Sequence, residues 1–218
     1  MPVPLVPAIA FAVVAAAGIV AHAVSVELKG HPLAILGRSG VGKSTLLREL
    51  QERGSTGDVE SGGASPFFLS DKGSGRRLKL HVRSDLPGSN GLGHAAWKSQ
   101  VLASDFVYYM FRADLIAHGD KDEVQRVREH LDMLKTWMTT MGKPKSQPKV
   151  ILIGTWADEH EAFRHGHAAF KELVRSAAPL KLGAVMLNHA PVLVGSLKTE
   201  GDVARMVKSL RETHKRLT

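Results

Sequence analysis

One stretch of the sequence has the composition and spacing of a phosphate-binding loop. Gly37, Gly42, Lys43 and Ser44 fit the pattern G-x-x-x-x-G-K-[ST]. Glycines allow backbone N–H groups to converge on phosphate oxygens, the lysine can reach β and γ phosphates, and the serine hydroxyl can bind Mg²⁺. The pattern therefore predicts a nucleotide site, with Lys43 as the residue that acts on the transferred phosphate. The predicted phosphate contacts are Gly37, Arg38, Ser39, Gly40, Val41, Gly42, Lys43, Ser44 and Thr45.

The residues on either side of the loop support this prediction. The segment 31–37 reads as a short apolar strand, and the segment 45–50 has the composition of a helix opening. A strand, a glycine-rich loop and a helix in this order form the context that the motif requires. We therefore expect the loop to lie at the C-terminal end of a buried strand.

Three further patterns follow in the chain, each after a segment with strand character. They are Asp85-Leu-Pro-Gly88, Thr155-Trp-Ala-Asp158 and Ser196-Leu-Lys198. An aspartate at a strand end can hold Mg²⁺ through water, and the Gly88 N–H can bind a γ phosphate. Asp158 can accept hydrogen bonds from the N1–H and the amino group of guanine, two donors that adenine lacks. A plain strand-to-helix turn remains the alternative for the segment 155–158.

In order and spacing, these motifs resemble those of the Ras-like GTPases of the translation-factor-related P-loop class, over residues 30–218. The resemblance implies a three-layer α/β fold whose mostly parallel sheet has helices on both faces. It also implies binding of GTP or GDP with Mg²⁺, with Ser44 and Asp85 as metal ligands. The implied contacts around the base and γ phosphate are Gly88, Thr155, Trp156, Asp158, Ser196, Leu197 and Lys198. Two residues depart from the family: Trp156 replaces a lysine, and Leu197 replaces an alanine.

Two functional positions of the family have no clear counterpart in this sequence. The threonine that contacts Mg²⁺ and the γ phosphate has three candidates, Thr56, Ser61 and Ser65, of which we prefer Ser65 because it lies nearest the next strand. Ser89 stands where many relatives have a water-positioning glutamine or histidine. Because serine is too short for that role, we predict that His94 fills it, with Asn90 or a protein partner as alternatives, and we expect slow intrinsic hydrolysis.

The charges divide the chain into two parts. The 218 residues contain 29 Lys or Arg and 21 Asp or Glu, a net charge of +8, yet the first 26 residues contain none of them. The apolar run 5–26 is long enough to span a bilayer as a helix. We therefore predict a transmembrane anchor at 1–28 and a G domain at 29–218, with a single-pass topology and a cytoplasmic GTPase domain. A cleaved signal peptide and a packing helix are the alternatives.

Periodic patterns between the motifs are consistent with an α/β fold. The segment 105–111 is rich in aromatic and β-branched residues, which is typical of a central strand. Apolar residues then recur at helical spacing, first in 124–141 and again in 203–217. Cysteine is absent, which excludes disulfides, a thiol nucleophile and cysteine-ligated metals. We read the histidines at 160, 165 and 167 as a polar helix start rather than a metal site.

The sequence thus favours a membrane-anchored GTP-binding protein that hydrolyses GTP to GDP and acts as a switch for an unidentified protein partner. An anchor followed by a GTPase domain also resembles the layout of the signal recognition particle receptor β subunits, whose motif matches Asp85-Leu-Pro-Gly88. The alternatives are a GTPase-like scaffold that does not hydrolyse nucleotide, and an ATP-using P-loop protein. We expect no nucleic acid partner, because the basic clusters lack interleaved aromatic residues.

Overall fold

A computed structural model describes residues 30–54, 67–70, 77–82, 93–141 and 147–217. Within these ranges six strands form one mixed sheet in the order β2-β3-β1-β4-β5-β6. Only the edge pair β2–β3 is antiparallel, and the other neighbours run parallel. The strands are β1 (His31–Leu36), β2 (Phe67–Ser70), β3 (Arg77–Val82), β4 (Phe106–Arg112), β5 (Lys149–Thr155) and β6 (Val192–Val194).

Helices connect the strands and cover both faces of the sheet. The described helices are α1 (Lys43–Gly54), α2 (Gly93–Leu102), α3 (Ala113–His118), α4 (Lys121–Thr139), α5 (Glu161–His165), α6 (His167–Ser176), α7 (Ala178–Met186) and α8 (Glu200–Leu217). A 3-10 turn, Ala157–Glu159, follows β5. Helices α1 and α8 pack on one face, and α2 to α7 contribute to the core on the other.

Strand β4 shows why the centre of the sheet is apolar on both faces. Its alternate side chains Val107, Tyr109 and Phe111 enter the core under α2 to α7. The intervening side chains Phe106, Tyr108 and Met110 enter the core under α1 and α8. Because parallel strands are covered by helices on both sides, such a strand reads as a continuous apolar run rather than an alternating one.

The positions of the predicted elements are confirmed within three residues. The strand expected at 105–111 spans Phe106–Arg112, and the apolar run at 150–154 lies inside Lys149–Thr155. The helical pattern at 124–141 corresponds to Lys121–Thr139, and four of its apolar positions are buried. An α/β fold with a six-stranded, mostly parallel sheet is therefore what these residues form.

The predicted transmembrane helix and the single-pass membrane localisation need correction. No helix in the described part of the chain is long and apolar enough to cross a membrane. Helices α4 and α8 have the length, 19 and 18 residues, but charged side chains cover their outer faces. The segment 1–28, on which the prediction was made, lies outside the described residues. The part of the fold prediction that holds is the α/β sheet.

Candidate functional site

The predicted phosphate loop lies between β1 and α1, at the C-terminal edge of the parallel strands. Gly37, Gly40 and Gly42 all have positive φ, at 140°, 79° and 90°. A Cβ atom at Gly37 would lie 2.4 Å from the carbonyl oxygen of Met110, so the backbone there passes directly against β4. At Gly37 any other residue would combine backbone strain with overlap, whereas at Gly40, where nothing lies within 4 Å of such a Cβ atom, only the strain applies.

The side chain of Lys43 crosses the inside of this loop. Its ammonium group donates hydrogen bonds to the carbonyl oxygens of Gly37 at 2.8 Å and Arg38 at 3.0 Å. Only 9% of the residue is exposed. Lys43 is also the first residue of α1, whose N-terminus adds positive potential at the same place. The loop therefore concentrates the donors and positive charge that bind a phosphate chain.

The last residue of β5 and the residue after it bind two consecutive carbonyl groups of the loop. The hydroxyl of Thr155 donates to the Val41 carbonyl oxygen at 2.8 Å, and the Phe111 carbonyl lies 3.2 Å away. The indole N–H of Trp156 donates to the Gly40 carbonyl oxygen at 2.9 Å. The first two residues of the predicted base-reading motif thus contact the phosphate loop directly.

The backbone of Trp156 is strained. Its φ of 60° and ψ of 24° place it in the left-handed region, where a bulky side chain costs about 1–2 kcal/mol. The guanidinium of Arg112 lies 4.3 Å from the centre of the indole ring, a cation–π contact. Arg112 in turn donates two hydrogen bonds to Asp114, one of them at 2.7 Å from Nε, and this pairing raises the pKa of Arg112. These contacts offset the strain and fix the ring.

A cavity of about 340 Å³ opens beside the loop, which is within the usual range for a small-molecule site. Its walls join three segments of the chain: the phosphate loop with the start of α1, the end of β5 with the turn after it, and the residues after β6. The lining residues are Val41, Gly42, Thr45, Thr155, Trp156, Asp158, Glu159, Leu197 and Lys198. The structure therefore brings the loop and two of the three later motifs to one cavity.

Asp158 supplies a carboxylate to this cavity. Partial burial acts to raise its pKa, but hydrogen bonds with Ser196 and Lys198 outweigh that effect and hold the pKa below its ordinary value. The Lys198 ammonium lies 3.3 Å from Asp158 Oδ2, and the buried Ser196 hydroxyl also accepts from the Lys198 N–H at 3.0 Å. Asp158 is thus an ionised acceptor at neutral pH.

Leu197 lines the same cavity and lies next to the phosphate loop. Its Cδ1 atom would lie 3.1 Å from a Cβ atom placed on Gly42. Leu197 also packs against the core beneath α1 and α8. Leu197 and Trp156 thus give the cavity two non-polar side chains, which suits a planar ring.

Glu123, which belongs to none of the sequence motifs, pairs with three arginines near the loop. It is 1% exposed and accepts from the Arg112 N–H at 2.9 Å and from Arg126. Arg38 of the phosphate loop lies 3.2 Å from the same carboxylate. The pattern Asp120-x-x-Glu123 indicates a helix start, and Asp120 does cap α4 by accepting from the Glu123 N–H at 2.8 Å. The Asp120 N–H binds the Leu115 carbonyl oxygen instead of the Glu123 carboxylate, so the pattern indicates the cap and not the ion pairs.

His94, predicted to position the attacking water, lies near the start of α2. Its ring contacts Trp97 and His130, with ring centres 5.8 Å and 5.7 Å away. His130 bonds the Tyr109 hydroxyl at 3.0 Å, inside the core between α2, α4 and the sheet. The contacts described for His94 are therefore packing contacts, and its catalytic role stays a prediction.

Several predicted residues cannot be placed. Ser65, Asp85 and Gly88, like Thr56, Ser61 and Asn90, lie outside the described residues. Ser44 is exposed in the first turn of α1, next to Lys43. Its position suits Mg²⁺, which usually takes one or two protein ligands and completes its shell with water and substrate phosphates.

The histidine-rich segment after β5 forms a helix start, as predicted. His160 Nδ1 accepts a hydrogen bond from the Ala162 N–H at 3.1 Å and so caps α5. His167 stacks on Phe163 with ring centres 4.1 Å apart. In the described ranges, no group of three or more His, Cys, Asp or Glu residues could hold a metal ion.

Comparisons with known proteins show a shared fold. The chain is similar to crystal structures of two mutation variants of SsGBP, at 12% and 11% identity and TM-scores of 0.56 and 0.54. The alignments cover 88% and 86% of this chain but 57% and 54% of those chains, so the chain spans just over half of their length. Neither a protein-family model nor a curated protein matches this sequence.

A weaker similarity links the chain to translation elongation factor SelB from Methanococcus maripaludis. The SelB structure in complex with the GTP analogue GppNHp has 21% identity and a TM-score of 0.47, over 86% of this chain and 34% of that one. Both features behind the closer resemblance to signal recognition particle receptor β subunits, the apolar segment and Asp85-Leu-Pro-Gly88, lie outside the described residues. That resemblance stays a prediction.

Proposed function

We propose that this chain binds a guanine nucleotide with Mg²⁺ and hydrolyses GTP to GDP. The observation that carries the proposal is the cavity whose walls unite the phosphate loop with the ionised Asp158 carboxylate. A phosphate loop alone fits any nucleotide, whereas a carboxylate acceptor in the base cavity selects a base with adjacent N–H donors. Guanine presents two such donors, its N1–H and the adjacent amino group, and adenine has neither of them.

Each wall of the cavity has a task in this proposal. The base lies between the apolar surfaces of Leu197 and Trp156 and pairs with Asp158, which Ser196 and Lys198 hold in place. The phosphates lie in the glycine loop, where Lys43 turns from the Gly37 and Arg38 carbonyls towards their oxygens. Thr155 and Trp156 donate hydrogen bonds to the Val41 and Gly40 carbonyl groups and so keep these carbonyl groups turned away from the phosphates.

Hydrolysis in this proposal is attack of water on the γ phosphorus. The bond between that phosphorus and the β–γ bridging oxygen breaks, and GDP and inorganic phosphate are released. Lys43 stabilises the negative charge that accumulates on the phosphate oxygens. The Ser44 hydroxyl would hold Mg²⁺, with Asp85 as the second residue that the sequence offers, and the ion would supply positive charge to the phosphate chain. Ser65, Gly88 and His94 enter the proposal from the sequence alone.

A switch role follows if GTP and GDP stabilise different conformations of the segments that touch the γ phosphate. A protein partner would then recognise one of the two states. We expect hydrogen exchange in 55–66 and 83–92 to be slower with a GTP analogue than with GDP. Identical exchange in both complexes would contradict the switch role and leave nucleotide binding intact.

The full-length chain should be titrated with fluorescent GDP, GTP and ATP analogues in Mg²⁺, followed by measurement of phosphate release. We expect preference for guanine, with Lys43→Ala reducing GTP binding at least about tenfold through loss of a charge-assisted contact. The matched control is Lys208→Ala, at an exposed position of α8, which should leave affinity unchanged. Equal or tighter binding of ATP would refute the proposal.

Asp158→Asn tests the base contact. An amide places a donor where the carboxylate accepts, so guanine affinity should fall by about a hundredfold or more, since buried mismatched polar groups are costly. Xanthosine nucleotides, which carry an oxygen in place of the amino group, should bind the variant better than the parent. A variant with unchanged guanine preference would show that the segment 155–158 is only a turn.

The measurement of phosphate release separates an enzyme from a scaffold. If the parent protein binds GTP but releases no phosphate, it is a scaffold instead of an enzyme.

A further inference from the structure

We infer that Trp156 is a positioning residue for the phosphate loop and not a reader of the base. This inference rests on the proposed function, because it assigns a task within the same site. The indole N–H is a single donor, and the Gly40 carbonyl oxygen at 2.9 Å accepts it. No donor of this side chain remains for a base, so its contribution to base discrimination is limited to an apolar surface.

The direction of the indole is set from outside the cavity. Arg112 lies 4.3 Å from the ring centre and is itself held by Asp114, which is 4% exposed. The Arg112 N–H also binds Glu123, the carboxylate that pairs with Arg38 of the loop. The end of β4 therefore supports the loop by two routes, through Trp156 to Gly40 and through Glu123 to Arg38.

The loop segment at Gly40, which Trp156 binds, is weakly restrained by packing. Gly40 is exposed, and nothing lies within 4 Å of a Cβ atom placed there. Its φ of 79° is one of many conformations open to glycine. Val41, the next residue, is buried and held by Thr155. The indole thus immobilises the outer end of the loop, where packing does not.

Strain at Trp156 is consistent with this role. The left-handed backbone brings the side chain back over the loop, a direction that an extended residue after β5 would not give. Trp156 is a large apolar residue with 38% exposure, and the two contacts described for its ring are those with the Gly40 carbonyl oxygen and the Arg112 guanidinium. A residue kept in a costly conformation by surrounding contacts is typical of functional sites.

The test separates the phosphate contact from base recognition by using magnesium tripolyphosphate, which has no base, beside GDP and IDP. Trp156→Phe keeps an aromatic ring on Arg112 and removes the N–H donor. We expect it to weaken tripolyphosphate and GDP by the same factor, about five- to tenfold, as loss of one hydrogen bond predicts. The affinity ratio of GDP to IDP should not change.

The matched control is Trp137→Phe, the same substitution on α4, at a residue 9% exposed and remote in its contacts from the loop. It should leave the affinity for all three ligands unchanged, and circular dichroism confirms that both variants fold. In Trp156→Phe, amide exchange at residues 39–41 should be faster than in the parent, whether or not ligand is present.

Three results for Trp156→Phe would overturn the inference. The first is unchanged affinity for tripolyphosphate, and the second is a loss of affinity for nucleotides only, with a changed ratio of GDP affinity to IDP affinity. The third is unchanged amide exchange at residues 39–41. The proposed function fails differently. If the parent protein binds tripolyphosphate but does not prefer guanine, the guanine proposal is refuted. The response of tripolyphosphate binding to Trp156→Phe still decides the role of Trp156.

Discussion

The glycines of the phosphate loop differ in the reason for which they are needed. Gly37 combines a positive φ with a carbonyl oxygen 2.4 Å from its absent Cβ, whereas Gly40 has a positive φ and open space around it. The sequence motif treats both as loop residues, and only one of them is glycine in every version of the pattern. The structure gives a separate physical reason for each.

Alanine at the two positions should therefore have unequal effects. Gly40→Ala should lower the free energy of unfolding by about 1 kcal/mol, through strain in the left-handed backbone alone. Gly37→Ala also pushes β1 away from β4, so it should lower the free energy of unfolding by more than about 3 kcal/mol. Urea unfolding of both variants measures the difference in free energy of unfolding. Equal losses would mean that the loop relaxes freely at Gly37.

His94 can be tested at the same scale. If it orients the attacking water, His94→Ala should reduce GTP hydrolysis by about a hundredfold and change GTP affinity less than twofold. Its ring contacts with Trp97 and His130 predict some loss of stability in either case. Single-turnover phosphate release is the decisive measurement, and a decrease below about threefold would leave His94 with a packing role only.

At the scale of elements, α4 and α7 approach closely because α7 presents a glycine to α4. A Cβ atom at Gly183 would lie 2.2 Å from Leu131 Cδ1 and 3.2 Å from Leu131 Cβ. Leu131 is fully buried, so its side chain has little room to move aside. Glycine in the middle of a helix is unfavourable by itself, and here the helix contact requires it.

This contact predicts a change of sign in a double-mutant cycle. Gly183→Ala alone should destabilise by about 1–2 kcal/mol, because overpacking outweighs the gain in helix propensity. In a Leu131→Ala background the same substitution should stabilise, because the methyl group enters the space that leucine vacates. Thermal or urea unfolding of the four proteins measures both values. Additive effects would show that the helices do not touch there.

At the scale of the molecule, two buried tyrosine–histidine pairs attach the central strand to the helices on either face. Tyr108 bonds His214 of α8 at 2.6 Å, and Tyr109 bonds His130 of α4 at 3.0 Å. Burial lowers the pKa of both histidines from 6.5 to about 4, with smaller contributions from Lys149 and His31 at His214, and from His94 and Arg126 at His130.

These shifts predict a loss of stability in acid. Between pH 6.5 and 4 the unfolded chain protonates both histidines and the folded chain does not, so stability falls as the pH decreases through this window. A shift from 6.5 to about 4 corresponds to about 3 kcal/mol at about 1.4 kcal/mol per pKa unit, so His214→Gln should reduce the pH dependence in this window by about that amount. Urea unfolding at pH 7, 5.5 and 4 in both proteins gives the two curves, and parallel curves would contradict the prediction.

The sequence by itself determined the sheet and the order of the site segments. A buried parallel strand and a phosphate loop can both be recognised from a few consecutive residues, because the first needs an apolar run and the second needs glycines at fixed spacing. The anchor prediction was also local, but the membrane assignment needed a spanning helix, which the described residues do not contain.

Only the tertiary structure decided which residues work together. The pairing of Trp156 with Gly40, and of Glu123 with Arg38, joins residues far apart in the chain. A sequence pattern reports residue types at fixed spacings, whereas a hydrogen bond between distant segments depends on how the strands are ordered and aligned. For that reason the sequence presented Trp156 as a departure from a motif, and the fold gives it a partner in the phosphate loop.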